Sequence, residues 1–127
     1  MNILEKTIIN AEFFYKKENL PKLRIGDNVK VTIYLELPKI EEAAKEKERI
    51  QVYEGVIISK HSNRDPCNST ITVRKMFQGG GIEKVFLLNS PWVKEIKNLS
   101  SSTVRRGKLY YLRDRMGKSA RLKRSFK

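Results

Sequence analysis

Cysteine, histidine and tryptophan each occur once in this chain, and each scarcity removes a class of chemistry. A lone Cys67 has no partner for an internal disulfide, so no disulfide framework staples the fold, which fits a reducing compartment. A structural metal site usually draws on four ligands, mostly paired Cys or His, and this sequence offers one of each. His61, Asp65 and Cys67 do share one loop. A Cys–His dyad normally comes from distant elements, however, so the loop reads as surface, and neither catalysis nor a metal is expected. Gly79–Gly81 lacks the Gly-Lys-Ser/Thr that completes a phosphate-binding loop, and a hairpin turn accounts for it. Asn68-Ser69-Thr70 has the form of a glycosylation sequon but lacks a secretory route. No cofactor motif is present, and the chain reads as a non-enzyme.

Long apolar runs are absent too. No stretch of eighteen apolar residues exists, so no segment is long enough to cross a membrane as a helix. The opening MNILEKTIINAEFFYKKENL carries Glu5, Glu12 and Glu18 and has neither a cleavable apolar core nor an Arg- and Ser-rich transit pattern. The protein is therefore expected to work where it is made. Lysine outnumbers arginine, and isoleucine and asparagine are plentiful. That bias suits an AT-rich genome, an organelle's included.

Acids are scarce in one place above all. The whole chain has 27 Lys/Arg against 14 Asp/Glu, for a net charge of +13. Residues 104–127 hold ten Lys/Arg against the single acid Asp114, so nine of the thirteen excess charges lie in the last fifth of the sequence. A near-neutral body with a polycationic end implies a polyanionic partner. After Leu112 that end offers only scattered apolar residues, Met116, Leu122 and Phe126, and lacks the stripe that a membrane-surface helix needs. Nucleic acid is the expected partner, and no membrane. No helix-turn-helix, zinc-finger or basic-zipper pattern appears, so folded RNA bound by shape and backbone is the better fit. Lys and Arg neutralise phosphates and release counterions, and Tyr110 or Tyr111 is placed to stack or hydrogen-bond, the other being core. Such an extension is expected to be disordered when free and to order on binding, with the body folding without it.

The remaining pattern reads as mainly β. Ile3, Leu4, Ile8, Ile9, Phe13 and Phe14 recur near 3.6 and predict an N-terminal helix over residues 1–20, closed by Pro21. Period two then takes over from Val29 to Leu37, predicting a half-buried strand. Residues 38–49 (PKIEEAAKEKER) break this as a charged insertion, read as a short exposed helix. Further strands are predicted at Ile50–Ser59, with Gly55 marking a bulge or close backbone approach, and at Thr70–Phe77, Ile82–Leu88 and Trp92–Ile96. KLYYLR at Lys108–Arg113 reads as a last strand. Five or six short strands joined by Gly/Pro turns predict a small, partly open β-barrel.

RIGDNVKVTIYLE, QVYEGVIIS, TVRKMFQGGGIEKVFLLNSPWVKEI and VRRGKLYYLRDRMGKSARLKR together resemble ribosomal protein nineteen of the bacterial-type large subunit, in order from about Leu23 to Lys123. The resemblance implies an SH3-like barrel over residues 21–103, with the insertion 38–49, and an RNA-binding extension over 104–127. It implies a structural, non-enzymatic role without cofactor in a plastid or bacterial ribosome. Implied partners are large-subunit ribosomal RNA, small-subunit ribosomal RNA across the subunit interface, and neighbouring large-subunit proteins, with support for inter-subunit bridges and no homo-oligomer. The RNA-binding positions that it suggests are Arg74, Lys75, Arg105, Arg106, Lys108, Tyr110, Tyr111, Arg113, Arg115, Lys118 and Arg121. Lys123 and Arg124 of the same basic run join them. Asn98–Ser102 departs from the family, which usually has a basic run there. An extraribosomal regulator that uses the barrel for protein contacts and the tail as a nucleic-acid grip is the alternative function.

Overall fold

The computed structural model describes residue 17 and residues 20–36, 49–62 and 68–126. The helix predicted over 1–20 and nearly all of the insertion at 38–49 lie outside the described residues, as do Asp65 and Cys67. Among the described residues there are six strands: β1 (Asn28–Tyr34), β2 (Ile50–His61), β3 (Thr70–Phe77), β4 (Gly80–Leu87), β5 (Val93–Thr103) and β6 (Lys123–Ser125). They form one antiparallel sheet in the order β4-β3-β2-β1-β5-β6. The mainly-β expectation holds, but the sheet is not a closed barrel, because among the described residues its outer strands β4 and β6 do not pair.

The β3–β4 hairpin follows from its turn. Gln78 and Gly79 both take positive φ, 50° and 78°, and Phe77 pairs with Gly80. That is the two-residue geometry whose twist matches antiparallel strands, and glycine adopts it without strain. Gly55 also has a defined role. A Cβ there would stand 2.4 Å from the Arg74 carbonyl oxygen and 2.9 Å from Val73 Cγ1. The close backbone approach predicted at Gly55 is therefore real, while the β2–β3 irregularity falls later, between Ile57 and Ser59.

Alternation on β1 holds for Val29 and Val31, both fully buried. The register against β5 then slips between Thr32 and Ile33. Thr32 becomes buried, Ile33 only half-buried and Leu35 exposed, so the single apolar face predicted for Val29–Leu37 stops short. The extra residue stands on β5, between Val93 and Glu95, while β1 keeps its register against β2 as far as Tyr34. β5 runs to Thr103, well past the short strand expected at Trp92–Ile96.

Adjacent Ile57 and Ile58 are both fully buried yet belong to different apolar clusters, because successive strand side chains point to opposite faces. Ile57 joins the main core of Val29, Val31, Ile71, Val73, Phe86 and their neighbours. Ile58 packs with Leu109 and Leu112 from the C-terminal segment, with Val104, Tyr111, Ala120 and Leu122 alongside. The predicted strand at KLYYLR is a 3₁₀ helix, Tyr110–Asp114. Leu109 and Leu112 stand three residues apart and both are buried, which matches three residues per turn, whereas a strand would send them to opposite faces. A second 3₁₀ helix, Gly117–Ala120, precedes β6. The segment expected to hang free is thus laid onto the back of β2 and hydrogen-bonded to the β5 edge.

Candidate nucleic-acid interface

Two leucines set the position of the basic segment. Leu109 is fully buried and its N–H donates to the Ile58 carbonyl at 2.8 Å, while Leu112 fills the same cluster one turn on. Polar residues between and around them are forced outward. Arg105, Arg106, Lys108, Arg113, Arg115, Lys118, Arg121, Lys123 and Arg124 are all exposed. Asp114 is the only acid among them. The structure therefore brings these nine predicted cations onto one folded segment.

The tyrosines divide much as expected, Tyr111 packing against the Ile58, Leu109 and Leu112 cluster and Tyr110 standing outside it. Tyr110 is exposed and Tyr111 half-buried, and both rings carry cations. The Arg113 guanidinium lies 4.5 Å from the Tyr110 centroid and Lys108 Nζ 5.7 Å from it. Arg106 and Arg115 lie 5.0 and 4.8 Å from the Tyr111 centroid. Exposed cation–π contacts of this kind are individually weak. They also restrict the rotamers of long side chains, so the tyrosines hold charges in place ahead of any ligand. Lys75, half-buried on β3, is placed in the same way, 5.7 Å from the centroids of both Tyr53 and Phe77.

Arg74 and Arg113 converge on Glu83. Arg113 forks onto the carboxylate, Nε to Oε1 and Nη2 to Oε2, both at 2.7 Å, and Arg74 Nη1 donates to Oε1 at 2.9 Å. The Arg74 and Glu83 side chains are only 13% and 22% exposed, so this pair is poorly screened, whereas Arg113 is about half exposed. Hydrogen bonding from Arg113, with Arg74 adding to it against the opposing effect of burial, holds the Glu83 carboxyl below the usual glutamate range. The sequence reading missed Glu83, although a signal existed. Counting back from the Gln78-Gly79 turn places Arg74 opposite Glu83 across the hairpin, and opposite charges there attract.

Glu83→Gln is expected to lower the unfolding free energy at pH 7 by about 2 kcal/mol, because it leaves a largely buried guanidinium half-satisfied. A carboxyl depressed in the fold stabilises the protein above its unfolded value and loses that contribution as pH falls through the folded one. Wild type should therefore weaken below about pH 4.5, and the variant should weaken less over that interval. Urea unfolding at pH 7 and pH 3.5 checks both; parallel losses in the two proteins would exclude the Glu83 clamp.

His61 is exposed at the end of β2, and among the described residues no cluster of three or more His, Cys, Asp or Glu stands close enough to hold a metal. No described helix is long and apolar enough to cross a membrane.

Comparison with known proteins adds the family. Residues 4–125 match the family described as Ribosomal protein L19. The large ribosomal subunit protein bL19c of Mesostigma viride is 50% identical over 117 residues, covering 92% of this chain and 91% of the relative. The large ribosomal subunit protein bL19 of Synechocystis sp. is 50% identical over 127 residues, covering 99% and 97%. That of Nostoc punctiforme is 54% identical over 122 residues, covering 96% and 94%.

Proposed function

From the premise that this chain belongs to the ribosomal protein L19 family of plastid and bacterial large subunits, and is a structural constituent of the ribosome and not an enzyme, we propose that it binds large-subunit ribosomal RNA through residues 105–124. The observation that carries this is the folded cationic segment: nine exposed Lys/Arg with one acid among them, fixed to the body by Leu109 and Leu112. Fixed charges neutralise phosphates without the ordering cost of a free tail. Arg74 and Lys75 extend the surface onto the β3–β4 hairpin, with Arg74 acting chiefly through its hold on Glu83 and Arg113. The body over 21–103 is taken as an SH3-like barrel left open at its outer strands, a reading supported by the return of β5 to pair with β1. The surface is further proposed to face small-subunit ribosomal RNA and neighbouring large-subunit proteins and to support inter-subunit bridges. The protein acts there as one copy per subunit.

Replacing Arg105, Arg106, Arg115 and Arg121 together by glutamine should reduce the slope of log K against log salt for a large-subunit RNA transcript by about three. It should also deplete the protein from high-salt-washed large subunits, where wild type is present at about one copy each. An unchanged slope would remove this segment from the RNA interface.

A further inference from the structure

The segment before β1, the ends of β2 and β5, and β6 line a cleft of about 840 Å³ whose lining includes none of residues 105–118. We propose that this cleft is a second docking site for the phosphodiester backbone of RNA, resting on the reading of the protein as an RNA binder. Its cations come from two separate elements. Lys22 and Arg24 line it from the segment ahead of β1, and Lys60 lines it from the end of β2. Lys22 and Arg24 are exposed, and neither side chain forms an ion pair among the described residues. Lys60 Nζ donates to the Leu23 carbonyl at 3.2 Å, which holds both the ammonium and the lead-in segment at the rim.

The rest of the lining is rich in hydroxyl residues. Ser101 and Ser102 of β5 and Ser125 of β6 belong to it, all half-buried. Ser101 pairs directly with Ser125, so their side chains share one face of the two-stranded edge. Hydroxyls donate to phosphate oxygens as readily as to water, and with the Lys22, Arg24 and Lys60 cations they complete an anion-binding lining. Asp27, the one acid in the lining among the described residues, is 1% exposed. Its Oδ2 accepts from the Arg24 backbone N–H at 2.9 Å and from Asn98 Nδ2 at 3.1 Å. Its hydrogen bonds fix the curve of the lead-in segment that carries Lys22 and Arg24.

Chemistry narrows the ligand to a backbone rather than a base. Among the described residues no aromatic side chain lines the cleft to stack a nucleobase. The volume falls in the range that holds a nucleotide-sized group. Pairing of β6 with β5 sets Arg124 opposite Ser102 and Lys123 opposite Thr103, so two cations of the 105–124 segment stand on the strand that also carries Ser125.

The test compares three proteins bound to a transcript of the large-subunit RNA across 50–300 mM salt: wild type, Lys22→Gln with Arg24→Gln, and Arg105→Gln with Arg106→Gln. Both altered side-chain pairs are exposed, and circular dichroism and melting confirm the fold of each variant. The cleft variant is expected to lower the salt slope by one to two, additively with the Arg105/Arg106 change. As a second probe, Ser125→Asp should weaken binding at least tenfold at 100 mM salt with the melting temperature unchanged. If the Arg105/Arg106 variant loses slope while both cleft variants bind as wild type does, the cleft proposal fails and the RNA reading stands. If no variant changes, both fail. Cleft variants that keep RNA affinity but drop out of large subunits would assign the cleft to a neighbouring protein and overturn the proposal.

Discussion

Replacing Leu109 by alanine is expected to lower the unfolding free energy by about 3 kcal/mol, the usual loss for a leucine taken from a tight core. Leu109 is fully buried against Ile58 and Leu112, and its N–H is bonded to the Ile58 carbonyl. The side chain leaves a cavity that the short 3₁₀ turn fills poorly. A second effect follows from position. Leu109 is flanked by Lys108 and Tyr110, so loosening it unlocks the cation–π contacts of Lys108 and Arg113. Urea unfolding gives the stability, and the salt slope for RNA gives the interface. Arg105→Ala, at an exposed position, is the control and should stay within about 0.5 kcal/mol of wild type. A loss under 1 kcal/mol for Leu109→Ala would mean that the basic segment is an appendage after all.

Gly55→Ala should be of similar size, about 2–3 kcal/mol, by the opposite route of overpacking. The new methyl would meet the Arg74 carbonyl oxygen at 2.4 Å. Backbone cannot rotate aside as a side chain does, so β2 and β3 must part locally. Val56 pairs with Arg74 one position on, and separation there also shifts Arg74 from Glu83. Thermal melting and amide exchange along β3 report the change. Wild-type melting with wild-type protection at Val73 and Arg74 would refute the close approach.

Local signals account for what the sequence made legible. Gln78-Gly79 sets the β3–β4 hairpin within a few residues, and the predicted Thr70–Phe77 strand needed no distant information. Val29 and Val31 alternate as predicted, but nothing nearby announces the slip at Thr32, which depends on how β5 meets β1. KLYYLR misleads because its tyrosines favour strands while its buried pair, Leu109 and Leu112, follows a period of three. Ile58 exposes the same limit. Two adjacent buried isoleucines make sense only once a segment fifty residues later covers the second face. At the interface, charge was legible and pairing was not. Arg113 reads as a phosphate ligand, yet in the fold it forks onto Glu83. The cleft at Lys22, Arg24 and Lys60 was invisible because its walls come from segments up to a hundred residues apart.

The placement of β1 between β2 and β5 also bears on how the chain reaches this state. The β3–β4 ladder closes a two-residue loop, whereas β1 and β5 join residues 60 to 72 positions apart, from Ile33 with Val93 to Asn28 with Ser100. Loop-closure entropy makes the first step cheap and the second late. A ribosome making this chain must release β5 before β1 gains its second neighbour, and must release residues 109–122 before Ile58 is covered. Until then the polycation exists as loose charge without an architecture. Its arrangement is thus inherited from a sheet that has to be in place first.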